Sequence, residues 1–309
     1  MRCVSRTVYS NTRMIRMGGT ILAGLLGLAF GSFLNVCLSR WPEGESVITP
    51  RSHCRHCDRM LAWWENVPLV SWLALRGRCR GCRAWIGWRY PLVELAVGGL
   101  WAFAASQALP RVLYPYKFEI YPHEHIVSVL QSMLLYWLLV GLAALDAEHL
   151  WLPDWITLPA IIAGSLFELI PLVWIWSLHI RDLDISTNAA WLAAEDVLGI
   201  LAAAALVLLI RWVYWLIRRR EGIGLGDAKL MALLAAWLGL PGALLAFVLG
   251  VVLGTLIALV VRVLPAARAG ANGWSLKKLP LGTFLCIGGI VSSLWGQPII
   301  AAYLHWAGF

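Results

Sequence analysis

Long apolar stretches separated by short polar segments make up most of the sequence. Seven of them approach the roughly 20 residues that an α-helix needs to cross a bilayer. An eighth stretch, 228–240, covers only about 20 Å as a helix, so we expect it to tilt, to be re-entrant, or to extend back into the preceding GIGLGD motif. The pattern therefore predicts an all-α polytopic membrane protein with about eight transmembrane helices. The seven longer stretches are 18–38, 91–109, 126–145, 156–178, 197–217, 242–264 and 281–306.

The composition agrees with this pattern and excludes several other classes of protein. Of the 309 residues, 60% are hydrophobic and only 14% are charged, and the mean hydropathy is +0.73. A water-soluble globule needs a more polar surface, and a disordered chain contains fewer apolar residues. Seven cysteines are too few for a disulfide-rich secreted domain of this length. The 19 Trp suit the boundary between membrane and water.

The net charge of +8 indicates the orientation of the chain in the membrane. Of the 25 Lys and Arg residues, 18 lie in three segments, 40–89, 211–229 and 262–278, which share one side if eight helices cross the bilayer. By the positive-inside rule, that side is the cytoplasm. The loops around 109–125 and 179–196 are then external. We attribute the basic residues to topology and to contact with membrane lipid, and expect no nucleic-acid partner.

The first residues of the chain disagree with this topology. Four Arg lie within 1–17, which the eight-helix arrangement places outside. The nine Arg on the other flank of the first helix outnumber them and set its orientation. We therefore expect 1–17 to be an N-terminal extension that is not native, with Met14 or Met17 as the natural start.

Two CxxC pairs, CRHC and CRGC, lie in the polar loop 40–90 between the first two predicted helices. Their cysteines are Cys54, Cys57, Cys79 and Cys82. This spacing is typical of four thiolates that bind one metal ion, and a closed four-cysteine set favours structural zinc over an iron–sulfur centre. Two disulfides or four unrelated thiols are the alternatives, although a reducing cytoplasm disfavours disulfides.

Two acidic residues, Asp146 and Asp227, lie at the predicted cytoplasmic ends of apolar stretches, where a carboxylate needs a reason to be near hydrocarbon. Gly224 and Gly226 let the backbone before Asp227 bend tightly and approach an extended peptide. Two carboxyl groups in one partly dry site share a proton, which creates the acid and the base of an aspartic protease. The same pair could equally bind Na⁺ or relay protons in a transporter. Asp154 is expected to cap its own helix.

These motifs together resemble those of the bacterial prepilin peptidases, the leader peptidases and N-methyltransferases of type IV pilus and type II secretion systems. The resemblance runs from about residue 24 to residue 289, with the motifs in one order. They are GSFLNVCLSRWP (31–42), the paired CxxC, WWENVPLVSWLALRGRC (63–79), RYPLVEL (89–95), LDAEHLWLPDWITLP (145–159), GIGLGDAKL (222–230) and PLGTFLCIGG (280–289).

The resemblance implies roles for individual residues and for the two parts of the chain. Asp146 and Asp227 match the catalytic aspartates of the family. The N-terminal part, 18–109, is associated with methylation, and the helical bundle 126–309 is the peptidase. No residue is assigned to the methyl donor. The supporting positions within the matching motifs are Gly224, Gly226, Lys229 and Asp154.

The implied reaction takes place at the cytoplasmic face of the bacterial inner membrane. A short basic leader is removed from type IV prepilins or from pilin-like precursors, the pseudopilins. The new N-terminal residue is then methylated from S-adenosylmethionine.

Three positions depart from the family motifs. Arg55 replaces the usual proline of the first CxxC pair, and Leu281 and Thr283 stand in a motif that usually reads PFGP. We expect metal binding to survive because the thiolates keep their spacing. The change near Thr283 concerns the shape of the substrate channel and leaves the aspartate pair intact.

Two other functions compete with this interpretation. A presenilin-like intramembrane protease shares the GLGD sequence, but it would lack the CxxC loop and carry a PAL motif where this chain has KLPLGT. An ion-coupled transporter can use paired aspartates, but its halves are expected to be inverted repeats, and the halves of this chain do not resemble one another.

Overall fold

The computed structural model describes residues 2–113, 122–177, 185–220, 224–263 and 279–308, and these residues are mainly helical apart from the long loop 41–88 and short connections. The predicted all-α architecture is confirmed. Residues 114–121 and 179–184 of the predicted external loops, and residues 264–278 of the basic segment, lie outside the described residues. The helices are α1 (Arg2–Arg40), α2 (Val70–Ala74), α3 (Arg89–Leu113), α4 (Pro122–His149), α5 (Asp154–Ser177), α6 (Ile185–Arg218), α7 (Leu225–Val263) and α8 (Leu281–Ala307).

Six of these helices contain stretches long and apolar enough to cross a membrane, so the chain is a multi-pass membrane protein. The predicted stretch 156–178 corresponds to α5, another long apolar helix. Residues 2–17 form the first part of α1, and whether they are native stays a prediction. The six stretches are Met14–Glu43, Arg89–Leu109, Ile126–His149, Ala193–Arg218, Leu225–Val260 and Leu281–Ala307.

The chain divides into two compact units, Met1–Gly141 and Leu142–Phe309. In the first unit, α1 and α3 run antiparallel with their backbones in close contact. A Cβ on Gly27 would lie 2.8 Å from Gly98 Cα, and one on Gly31 would lie 2.8 Å from Glu94 Cα. Small residues of this kind let membrane helices approach closely. The cysteine loop lies between these two helices in the chain, so α1 and α3 hold both of its ends.

In the second unit, α7 reverses direction at Gly239, which has the non-helical angles φ 68° and ψ 169°. A straight helix of this length would extend about 58 Å. Instead, the first turn of α7 and the middle of its second arm both lie near the start of α8. In the first turn, Gly226 packs against Leu152, which also packs against Gly282; in the second arm, Gly254 packs against Phe284. The two arms of α7, 225–238 and 240–263, therefore correspond to the two predicted stretches 228–240 and 242–264.

The second arm of α7 packs antiparallel to α8 along a row of small residues. A Cβ on Gly288 would overlap the Ala246 carbonyl oxygen, and one on Gly250 would lie 3.0 Å from the Phe284 carbonyl oxygen. The Ser292 hydroxyl donates to the Gly242 carbonyl at 2.8 Å. Close backbone contact and a hydrogen bond between helices both stabilise association within a membrane.

The first arm of α7 is surrounded by protein on all sides. Between Asp227 and Trp237, every residue but Lys229 is buried. The Trp237 indole donates to the Ala160 carbonyl of α5 at 2.8 Å, and Gly164 leaves the space that this ring occupies. The arm is thus a central element against which other helices pack.

We expect Gly288→Ala to destabilise the protein, because the added methyl group would overlap the Ala246 carbonyl oxygen. Overpacking of this kind costs about 1–3 kcal/mol. Thermal unfolding of the detergent-purified protein measures the effect. Gly99→Ala is the matched control, since nothing lies within 4 Å of a Cβ at that position. Equal stability of the two variants would contradict the close contact.

Candidate active site and metal centre

The loop of the first unit brings its four predicted metal ligands together. The sulfur atoms of Cys54, Cys57, Cys79 and Cys82 all lie within 4.8 Å of one another. Cys54 Sγ and Cys82 Sγ are 3.8 Å apart, close to the separation of about 3.8 Å that two sulfurs have when each is 2.3 Å from a tetrahedral zinc ion. The cluster can therefore bind a metal ion.

The two CxxC segments have the same backbone structure. In the first, Cys54 N–H donates to the Arg59 carbonyl and Asp58 N–H donates to the Cys54 carbonyl. In the second, Cys79 N–H donates to the Ala84 carbonyl and Arg83 N–H donates to the Cys79 carbonyl. Asp58 and Arg83 both have positive φ, 52° and 60°. Two equivalent tight turns thus point their thiols toward a common centre.

Backbone donors prepare one of these thiols as a thiolate, the form that binds metals. N–H groups of Cys82 and Gly81 lower the pKa of Cys79 to about 6. The pKa of Cys82 is raised to about 11: the Ala84 N–H lowers it, but burial and the neighbouring thiols outweigh that donor.

An ion pair connects this cluster to the rest of the loop. Arg59 Nη2 lies 2.6 Å from Glu65 Oε1, and the Ala62 N–H donates to Glu65 Oε2 at 2.7 Å. Burial opposes ionisation of Glu65, but these two donors stabilise the carboxylate more strongly and lower its pKa. Arg59 also lies close enough to the Cys79 sulfur for the two charges to interact.

Arg55, the residue that departs from the family motif, contacts the end of α1. Its guanidinium lies 2.6 Å from Glu43 Oε1 and donates to the Ser39 carbonyl. The first CxxC turn is thereby attached to the helix that precedes it. His53 and His56 flank this turn, but the group of close metal-binding atoms among the described residues consists of the four cysteines.

In the second unit, Asp146 lies near the C-terminal end of α4, buried against the start of α8. Thr283 N–H donates to Asp146 Oδ2 at 2.6 Å. The Thr283 hydroxyl lies 3.1 Å from the same oxygen and 3.0 Å from the Ala143 carbonyl. Gly282 leaves space for the carboxyl group, since a Cβ there would lie 2.9 Å from Asp146 Cγ.

Asp227 lies in the first turn of α7, where the positive end of the helix favours a carboxylate. It is buried, and its Oδ2 accepts a hydrogen bond from Gly224 N–H at 3.2 Å. Asp146 is close enough for its charge to act on Asp227. Leu152 packs against Gly226, which precedes Asp227, and against Gly282, which contacts Asp146. Its side chain therefore connects the surroundings of the two aspartates.

The two other supporting positions pair with each other. Lys229 Nζ lies 2.5 Å from Asp154 Oδ1. The expected cap would have the Asp154 carboxylate accept from N–H groups of its own helix, α5. The hydrogen bond described for this carboxylate comes instead from Lys229 of α7. The pair connects the start of α5 to the start of α7, beside Asp227.

Sequence reasoning missed two residues of this site. Thr283 was recognised only as a departure from a motif, although it provides two polar groups next to Asp146. Cys286, one turn further along α8, is fully buried and lies close enough to both aspartates for their charges to act on it. In the sequence, only its position within the PLGTFLCIGG motif indicated that Cys286 belongs near the aspartates.

Comparison with known proteins identifies the family of the chain. Residues 25–108 match the family model of the bacterial peptidase A24 N-terminal domain, and 133–259 match that of the type IV leader peptidase family. The chain is 32% identical to the prepilin leader peptidase/N-methyltransferase of Stutzerimonas stutzeri, over 93% of this chain and 94% of that protein. It is 33% identical to the protein of the same name from Aeromonas hydrophila, over 92% and 93% of the two chains.

The chain belongs to the type IV leader peptidase family. The predicted resemblance is thereby confirmed, and the chain is a membrane peptidase with methyltransferase activity. A protein of Pseudomonas aeruginosa with the same name is 32% identical over 92% of this chain and 93% of its own length. No solved structure matches the chain. Membership of this family disfavours the transporter and presenilin-like alternatives.

Proposed function

We propose that this enzyme removes the leader from type IV prepilins and pilin-like pseudopilins, with Asp146 and Asp227 as its catalytic residues. One observation carries the proposal: two buried carboxyl groups from distant parts of the chain, Asp146 beside Gly282 and Asp227 after Gly226, lie next to backbone that packs against a single side chain, Leu152. A buried carboxylate without a cationic partner is costly in a membrane protein and marks a functional site. The names of the relatives supply the substrate class.

The two carboxyl groups divide the work of peptide hydrolysis. The ionised one takes a proton from water, and the water oxygen attacks the scissile carbonyl carbon while the protonated one donates to the carbonyl oxygen. The tetrahedral intermediate then breaks at the C–N bond, and the leaving nitrogen receives a proton. The products are a leader with a new carboxylate and a mature chain with a free amine.

Hydrogen bonds hold the two carboxyl groups in place for this reaction. Thr283 and Gly224 donate to one oxygen of Asp146 and of Asp227, respectively, and leave the other oxygen of each for water or substrate. Gly226 lets Leu152 approach the start of α7, and the Lys229–Asp154 pair fixes that start against α5. These contacts give the four supporting positions a common purpose, which is to position Asp227.

The loop at 40–90 binds one structural zinc ion through Cys54, Cys57, Cys79 and Cys82. The sulfur separations support this assignment, as does the choice of four soft thiolates. The loop belongs to the methylating part, 18–109, and the peptidase to 126–309. When bound, S-adenosylmethionine supplies the methyl group that the new N-terminal amine accepts.

The enzyme lies in the bacterial inner membrane with its active site facing the cytoplasm. The support is the distribution of basic residues, of which 18 of 25 fall in the three segments assigned to that side. A prepilin leader is short and basic, so it stays on the same side before it is cleaved.

We expect Asp146→Asn and Asp227→Asn each to reduce leader removal by a factor of roughly 10² to 10⁴ or more, because an amide can neither accept nor donate the catalytic proton. Cleavage of a synthetic prepilin peptide, followed by mass spectrometry, measures the rate. Glu168→Gln, which removes an exposed carboxylate from α5, is the control and keeps the wild-type rate. Normal processing by either Asn variant would refute the assignment of the dyad.

Thr283→Val should lower kcat about tenfold with little change in KM, because it removes the hydroxyl beside Asp146 but keeps the backbone N–H donor. The same peptide assay at several substrate concentrations separates the two constants. Thr255→Val is the matched control, since the Thr255 hydroxyl bonds a carbonyl within α7 on an exposed face. An unchanged kcat for Thr283→Val would show that the hydroxyl does not position Asp146.

Replacing Cys54 and Cys57 together by Ser should release the metal, because a closed zinc site needs four ligands. Elemental analysis of the purified protein should find about one zinc ion per chain in the wild type and little in the double variant. Cys37→Ala, which removes a buried cysteine of α1 outside the cluster, should retain the metal. Wild-type protein without zinc would contradict the assignment.

A further inference from the structure

A cavity of about 310 Å³ lies in the first unit, between α1, the cysteine loop and the start of α3. Its volume falls at the lower end of the range for small-molecule sites, about 300–1,000 Å³. Half of its lining residues belong to three motifs that the peptidase site does not use, at 31–42, 63–79 and 89–95, and the other half belong to the rest of the cysteine loop. The residues that matter here are Asn35, Arg40, Glu65, Trp72, Tyr90 and Glu94.

Asn35 presents an unused acceptor at this cavity. Its side chain is buried, and its Nδ2 donates to the Tyr90 carbonyl at 3.0 Å. That hydrogen bond fixes the orientation of the amide, because the opposite orientation would place two oxygens against each other. Asn35 Oδ1 has no hydrogen-bond partner among the described residues. A buried acceptor without a donor is costly, so the position suits a ligand that brings an N–H or O–H group.

Rigid aromatic rings form another part of the wall. The Trp72 indole donates to the Ile86 carbonyl at 3.1 Å, and its ring centroid lies 5.8 Å from that of Trp85. Gly77 makes this arrangement possible: it has φ +66°, and a Cβ there would lie 2.8 Å from Trp85 and 2.9 Å from Trp72. Electron-rich indole faces attract a cation without requiring a formal negative charge.

The charged groups at the cavity are already tied to the protein and fix its shape. Glu94 Oε2 accepts from Leu69 N–H at 2.8 Å, which holds Leu69 at an unusual φ of 59°. Arg40 donates to the carbonyls of Ser46 and Pro50. The cavity is thus preformed, with acidic and basic side chains held in its lining.

We propose that this cavity binds S-adenosylmethionine, with Asn35 Oδ1 accepting a hydrogen bond from the adenosyl group and Trp72 contacting the cationic part. The inference rests on the methyltransferase activity in the proposed function and locates its methyl donor. The ligand matches the lining: it has an amino group on adenine, hydroxyls on ribose, a sulfonium cation, and an amino acid portion with both charges. Glu65 connects the site to the metal cluster through Arg59, since that ion pair borders both.

Calorimetric titration of the full-length, detergent-purified protein with S-adenosylmethionine, and with S-adenosylhomocysteine as the stable product, tests the assignment. Asn35→Leu and Trp72→Leu should each weaken binding about tenfold or more, because they remove the free acceptor and the aromatic wall. The matched controls are Phe33→Leu and Trp63→Leu, which change exposed residues of α1 and of the same loop outside the cavity. Both controls should bind as the wild type does.

Zinc content and thermal unfolding establish that each variant is folded before its affinity is compared. Wild-type affinity in both folded variants would overturn the cavity assignment and leave the proposed function standing. A wild-type protein that cleaves prepilin peptide but binds neither ligand would refute the methyltransferase part together with the cavity. Ultraviolet crosslinking of labelled S-adenosylmethionine provides a second measurement for a variant that does not fold: labelled peptides from 31–42 or 63–95 support the proposal, and labels confined to other segments overturn it.

Discussion

At Gly239 the backbone of α7 adopts φ 68° and ψ 169°, a combination that is essentially confined to glycine. Because the chain reverses there, the two arms of α7 return to the same level, and α8 packs against the second arm. Asp227 at the start of the first arm thereby comes to the place where Thr283 holds Asp146. The meeting of the two carboxyl groups depends on this reversal, although Gly239 itself lies twelve residues from the nearer aspartate.

In the first unit, hydrogen-bonded turns of the loop build the four-cysteine site, and no reversal of a helix is involved. Two equivalent turns bring four thiols together, and hydrogen bonds from Arg55 and Arg59 attach them to the Ser39 carbonyl of α1 and to Glu65. The loop needs these contacts because it contains almost no regular structure of its own. A metal ion at the thiols would stabilise the loop, and the loop in turn forms one side of the cavity next to Asn35.

Much of this structure could be predicted from the sequence, because membrane helices and metal ligands leave strong local patterns. The spacing of the CxxC pairs predicted the cluster, and the shortness of the stretch 228–240 already set it apart from the other apolar stretches. The reversal itself had a local signal in the Gly-Leu-Pro-Gly segment at 239–242. No local signal indicated the hydrogen bonds of Thr283 or the pairing of Asp154 with Lys229. Thr283 and Asp146 are 137 positions apart in the chain, and Lys229 and Asp154 are 75 positions apart.

The burial of the first arm of α7 has a consequence for how the enzyme responds to its bilayer. A helix that faces lipid tilts or shifts when the thickness of the hydrocarbon changes. Between Asp227 and Trp237 the arm contacts protein almost everywhere, so its depth is set by neighbouring helices such as α5. The position of Asp227 relative to the membrane surface is therefore insulated from lipid composition.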